Sequence, residues 1–185
     1  NLAHNLNIYR AMLNPGVKTM AMVKAFSYGS GQAEIARLLA NQRVDYLAVA
    51  YADEGADLRR QGIRLPIMVM NPEPETFDQL TQYQLEPEIY SIEILNAFIQ
   101  SIGKEDASIH IKIDTGMHRL GFVENDIPEL LVLLKSHQHI RVASIFSHLA
   151  GADENKHDNF SEHQITLFNK IASSIQTTLG YQPLR

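Results

Sequence analysis

A chain of 185 residues has the length of one typical domain, and 45% hydrophobic with 20% charged residues excludes a disordered tail or a fibre. Sixteen Lys and Arg against 21 Asp and Glu leave a net charge of −5, which argues against nucleic acid as a partner. With no cysteine there is no disulfide framework and no thiolate metal site, which fits a reducing cytoplasm, and no apolar run approaches the ~18 residues of a membrane span.

Leu2, Leu6, Tyr9 and Leu13 recur at helical spacing, without the charged-then-apolar layout of a signal peptide. Both ends read as cut from something longer. Asn1 opens at a helix start, and Gln182 to Arg185 directly follow a helix and its Gly180 stop. Between them, short β-rich runs alternate with helical patterns. The predicted strands are residues 19–25, 46–50, 67–70, 88–90, 108–114 and 142–147. The helical stretches are 32–41, 54–61, 76–82, 92–102, 127–136 and 161–179, the last with Phe168, Ile171, Ile175 and Leu179 on one stripe. Strand and helix in regular alternation predict an α/β fold with a parallel sheet and crossover helices. Pattern alone leaves two architectures open, an open doubly wound sheet and a (β/α)8 TIM barrel truncated to about six βα units. A full barrel takes roughly 250 residues.

The strand ends favour the barrel. Along residues 108–114, Ile109, Ile111 and Ile113 fall on one face and His110, Lys112 and Asp114 on the other. An open sheet with helices on both faces would bury those charges against apolar cover, whereas a barrel mouth can use them. Lys24 closes the first strand on the face of Met20 and Met22, and His148 follows the sixth on the face of Ser144 and Phe146. Lys24 is either a solvated strand end or, desolvated, an amine able to bond a carbonyl. The Tyr28-Gly29-Ser30-Gly31 stretch opens a helix and can cradle an anion, but Glu34 stands where a dinucleotide fingerprint needs its third glycine. Asp114 to Gly121 forms a Gly-bounded turn whose Arg119 is either solvated or aimed at a carboxylate or phenolate. His148, Asp153, His157 and His163 have spacings that match no compact ligand motif, so no metal site is expected.

Three stretches resemble the alanine racemase family. Met22-Val23-Lys24-Ala25-Phe26-Ser27-Tyr28-Gly29-Ser30-Gly31 looks like its pyridoxal-phosphate lysine motif. Lys112-Ile113-Asp114-Thr115-Gly116-Met117-His118-Arg119-Leu120-Gly121 is similar to K-x-D-T-G-M-x-R-L-G, and Ser147 to Glu154 resembles S-H-[FL]-A-x-A-D-E. The resemblance implies a pyridoxal-phosphate barrel joined to a β-rich domain, in a cytoplasmic homodimer that interconverts L- and D-alanine for peptidoglycan synthesis. It implies that Lys24 holds the cofactor covalently and acts as a base, that Tyr28 contacts the phosphate, and that Arg119 faces the cofactor phenolic oxygen and the substrate carboxylate. Lys112 matches a lysine that is often carbamylated and orients that arginine, and His148 lies against the cofactor ring.

Phe26, Ser27 and Ser30 depart from the commoner Asn, Ala and His. The variant resembles racemase domains fused behind a D-alanyl-D-alanine-adding ligase. The resemblance further implies that residues 1–185 are the partial barrel domain, that the remaining phosphate loops and the second base lie outside it, and that the piece alone is nearly inactive. Six strands would leave the first and sixth with open edges, favouring association. Two other readings stay on the table, a single-barrel pyridoxal-phosphate homeostasis protein without racemase activity and a metal-dependent barrel hydrolase.

Overall fold

A computed structural model describes residues 1–185, which divide into two compact units. The first comprises Asn1–Pro72 with Gln79–Glu86, the second Glu73–Asp78 with Pro87–Arg185.

In the first unit, α1 (Leu2–Ala11) buries none of its residues and is anchored by Arg10, whose guanidinium donates to the carbonyls of Gln42 and Arg43. β1 (Met20–Met22) is followed by a short turn, α2 (Lys24–Tyr28), then α3 (Gln32–Asn41), β2 (Tyr46–Val49), α4 (Ala52–Arg60) and β3 (Ile67–Val69). The strands pair parallel, β1 with β2 and β2 with β3, with Met22 beside Ala48 and Val49 beside Val69. Leu47 to Val49 and Ile67 to Val69 are buried on both faces, so both strands read as continuous apolar runs rather than alternating ones. Ala33, Ala36 and Leu39 of α3 and Ala52, Ala56 and Leu58 of α4 complete this core. Arg59 closes it from below by donating to the carbonyls of Ile63, Leu65, Tyr83 and Gln84.

The second unit holds most of β4 (Glu86–Ile89), then α6 (Ile92–Ile102), β5 (Ala107–Lys112), α7 (Ile127–Ser136), β6 (Ile140–Phe146) and α8 (Asp158–Leu179). A 3-10 turn (Pro74–Thr76) leads into α5 (Phe77–Gln82), whose first residues also belong here, and Phe77 meets Phe98 edge-on at 5.3 Å. β4 pairs parallel with β5, and β5 with β6. Ser91 caps α6, its Oγ accepting from the Ile94 N–H at 3.3 Å, and Gly180 ends α8 at φ +74°. The core joins Ile109, Ile111 and Ile113 to Leu95, Phe98, Leu130, Leu134, Ile171 and Ile175. A register shift lies between Ile109 and His110. It sets His110 against Ser144 and Lys112 against Phe146, so four residues with polar or aromatic side chains share one face.

The predicted α3, α6 and α7 are found at their expected bounds, whereas the strands end differently. The first stops at Met22 rather than residue 25, because the Ala25 N–H donates to the Glu54 carboxylate at 2.6 Å instead of to a neighbouring strand. The fifth stops at Lys112, where Asp114 instead opens a closed loop. The expected bare edge on β6 is also partly taken. Ile145 N–H donates to the Leu184 carbonyl at 2.8 Å, and Leu184 N–H donates to the Ala143 carbonyl at 3.0 Å. No helix is long and apolar enough to cross a membrane.

Candidate active site

Lys24 stands just past the carboxyl end of β1, half-buried, after Val23 makes the last ladder bond to the Ala48 carbonyl at 2.8 Å. The next four residues are all left-handed, with Ala25 at φ +50°, Phe26 at +57°, Ser27 at +51° and Tyr28 at +55°. For residues carrying a Cβ this costs ~1–2 kcal/mol each, so the rest of the unit must hold the turn in place. Glu54, on the first turn of α4, is what holds it. One carboxylate oxygen accepts from the Ala25 N–H, and the other accepts from the N–H groups of Ala50 at 2.7 Å and Tyr51 at 3.3 Å. Sequence reading missed Glu54. Its signal was a glutamate three residues into a helix that follows a strand.

The turn leaves Phe26 and Tyr28 exposed and buries Ser27, whose Oγ has no hydrogen-bond partner. Gly29 and Gly31 then carry φ of +85° and +93°, and Gly31 caps α3 with no side-chain hydrogen bond to its first N–H groups, with the Glu34 carboxylate 2.9 Å from where a Cβ on Gly31 would stand. An amine, a phenol, a buried hydroxyl and a helix start without a side-chain cap therefore follow one another within nine residues.

The second unit carries Lys112, Arg119 and His148. The loop after β5 is closed on itself, because Asp114 N–H donates to the Phe122 carbonyl at 3.0 Å and Phe122 N–H donates to the Lys112 carbonyl at 2.9 Å. Asp114 Oδ1 accepts from the N–H groups of Gly116 and His118 at 2.9 and 3.1 Å. Burial opposes ionisation of Asp114, but those N–H groups outweigh it and hold the carboxyl below its ordinary range. Arg119 rides exposed on this loop, and His148 is exposed just beyond β6.

The two loops are tied together by Gln164 of α8, fully buried. Its amide N–H groups donate to Thr115 Oγ1 at 3.1 Å and the His148 carbonyl at 2.9 Å, and its carbonyl accepts from the Ala150 N–H at 3.1 Å. Thr115 and Ser147 hydroxyls lie 2.7 Å apart, and Ser147 also donates to the Ile113 carbonyl. Every polar end of Gln164 is thus used, which fixes the loops bearing Arg119 and His148 against each other. Gln164 was another residue that the sequence did not announce, being a polar side chain on an otherwise apolar stripe.

Lys112 is buried, with its Nζ 4.5 Å from the Phe146 ring centroid, and burial lowers its basicity although the Glu88 charge works the other way. Glu88 of β4 is 1% exposed, and burial pushes its carboxyl up to about 7, even against the pull of the Lys112 and Arg119 charges. The folded chain therefore keeps a proton on Glu88 at pH values where the unfolded chain has lost it. Its contribution to stability is full below the ordinary carboxyl range and is lost as pH rises through about 7. Glu88→Gln cannot ionise and is expected to flatten that decline, read as a smaller loss of denaturant midpoint between about pH 5 and about pH 8. An unchanged slope would remove Glu88 as its cause.

The family model for the alanine racemase N-terminal domain matches residues 1–185. Alanine racemase 1 of Caldanaerobacter subterraneus subsp. tengcongensis is 30% identical over 188 residues, covering 100% of this chain and 48% of that protein. A protein of Enterococcus faecalis named amino-acid racemase is 37% identical over 176 residues, covering 92% of this chain and 24% of that protein. The alanine racemase of Clostridium difficile 630, solved in complex with cycloserine, superposes with a TM-score of 0.87 at 34% identity, over 99% of this chain and 51% of that chain. The chain thus spans about half or less of the length of these relatives. Its fold is α/β with a parallel sheet, that of a TIM barrel truncated to six βα units. The chain belongs to the alanine racemase family, and the match to that family's N-terminal domain runs from Asn1 to Arg185.

Proposed function

We propose that this chain is the cofactor-holding part of a pyridoxal 5'-phosphate-dependent racemase that interconverts L- and D-alanine. The observation that carries the reading is Lys24 at the end of a strand, launching a strained left-handed turn that Glu54 braces. Strain of this kind is retained where it positions a functional group. The residues present fit the cofactor, with an amine for its aldehyde, the phenol of Tyr28 and the N–H groups at the start of α3, which no side chain caps, for its phosphate, and the unpartnered Ser27 hydroxyl in the same turn.

When bound, the cofactor supplies an electron sink for the charge left on the substrate α-carbon. Lys24 holds the cofactor covalently and then moves the proton at one face of that carbon. Arg119 gives a planar, permanently charged fork to the substrate carboxylate and the cofactor's phenolic oxygen. Lys112 orients Arg119, and in carbamylated form it replaces like-charge repulsion by an ion pair. His148 supplies a flat face for the ring. The proton on the opposite face is handled by a residue outside the chain, in a cytoplasmic homodimer that supplies D-alanine for peptidoglycan. Residues 1–185, as a partial barrel domain, bind the cofactor but turn over little alanine.

The test is addition of pyridoxal phosphate to the purified chain and to the full-length protein, followed by borohydride reduction and peptide mapping. A visible absorbance band with the reduced label on Lys24 is expected. Label on another lysine, or none in the full-length protein, overturns the reading.

A further inference from the structure

One buried acid on the interior face of the second unit has no part in the roles above. Glu88 is 1% exposed, and its Oε2 has no hydrogen-bond partner. Register sets Glu88 level with His110, and Lys112 lies two residues further along β5 on the same face. The titratable groups whose charge or register reaches Glu88 are Lys112, Arg119 and His110, with Tyr90 on its own strand. His110 Nδ1 is already engaged with Ser144 Oγ at 2.7 Å. The Lys112 amine faces the Phe146 ring, which can balance a cation but presents no oxygen acceptor.

Charge counting separates the states of this cluster. Ionised Glu88 with ammonium Lys112 and the exposed Arg119 leaves one net positive charge on the cluster. An acid Glu88 with a carbamate on Lys112 leaves a single anion, which the Arg119 guanidinium is there to pair. The acid form also turns the unpartnered Oε2 from an acceptor into a donor, and a carbamate on the same face supplies oxygens to receive it. Burial already disfavours both the carboxylate and the ammonium.

We propose that Glu88 is the positioning residue for Lys112, taking the proton that the lysine amine releases on reaction with carbon dioxide and then holding the carbamate with its own O–H. The inference rests on the reading of Lys112 given under the proposed function. The neutral amine lone pair forms the N–C bond, and one C–O π pair of carbon dioxide becomes the negative charge on oxygen. The ammonium proton leaves to solvent beforehand, one N–H proton passes to Glu88 in the carboxylate form that is available as pH rises through about 7, and nothing is oxidised or reduced.

Carbon-13-labelled bicarbonate and NMR on the full-length protein test this. A carbamate resonance that disappears in Lys112→Ala is expected. It should fall at least ~10-fold in Glu88→Val, the scale on which supporting partners of a held group act. In Glu88→Gln it should lie between the unsubstituted protein and Lys112→Ala, since an amide donates a hydrogen bond but accepts no proton. If Glu88→Val does not fold, the Gln variant carries the test, and a resonance equal to that of the unsubstituted protein overturns the proposal. Equal resonance in Glu88→Val, no resonance in the unsubstituted protein, or a resonance that appears only once Glu88 is removed would each overturn it too. The borohydride label on Lys24, read in the same samples, keeps the two ideas apart. Label on Lys24 without a Glu88-dependent carbamate sinks only this proposal, whereas no label on Lys24 sinks the racemase reading.

Discussion

Lys24→Ala is expected to lower the alanine racemisation rate of the full-length protein by at least ~10³-fold, because under the proposed function one substitution removes both the covalent attachment and a base. The visible band formed with pyridoxal phosphate should vanish with it. Stability should change by no more than about 0.5 kcal/mol, since the side chain is half-buried at a strand end and is not part of the core. That combination is the informative one, with the same melting curve, no band and no turnover. Racemisation surviving at more than a tenth of the original rate would assign the chemistry to another amine. A cooperative loss of fold would instead make Lys24 a structural residue.

Gly121→Ala is expected to be the most damaging change in the loop after β5. A Cβ built there comes within 2.5 Å of the Asp114 nitrogen and 2.8 Å of the Ile113 carbonyl carbon, with φ at +127°. Both neighbours are backbone at the point where the loop closes on the strand, so neither can step aside. The expected cost is about 3–5 kcal/mol, from clash added to backbone strain. Turnover should fall by about 100-fold even in protein that folds, because the loop that carries Arg119 is displaced. Gly62→Ala is the control. Its φ is +86°, yet nothing lies within 4 Å of the added carbon, so only the strain of about 1 kcal/mol is expected. Urea midpoints of the two variants give the comparison, and equal losses would show that the close approach at Gly121 carries no weight.

Much of the fold was legible because its signals are local. Apolar runs such as Leu47–Val49 and the stripe along α8 follow from burial, and they placed most elements within a few residues. The face of Lys112 was legible as well, since alternation along one strand sorts it from Ile111 and Ile113. What could not be read was whatever depends on a contact far along the chain. Residues 23–25 read as the end of a strand, and it is the Glu54 carboxylate, reached from another element, that braces the left-handed turn over Ala25 to Tyr28. Glu88 sat in a weak strand pattern, where nothing local distinguishes a buried acid from an exposed one. The register shift at Ile109 and His110 also left no mark in the residues themselves. Gln164 was hidden for the opposite reason, since its partners are a hydroxyl and two backbone groups in loops that the sequence sets 14 to 49 residues away.

The carboxylate that braces the turn has a bearing on how the chain matures during synthesis. Glu54 enters the chain 29 residues after the Ala25 amide that it holds. Synthesis delivers the chain from its N-terminus at about 5–20 residues per second, so Lys24 is made before the carboxylate that fixes the turn after it. Until the second βα unit has emerged and docked, four residues that resist left-handed geometry have no reason to adopt it, and the amine has no defined direction. On the proposed reading, the geometry that Lys24 needs is completed by the docking of the second βα unit rather than by the appearance of the lysine.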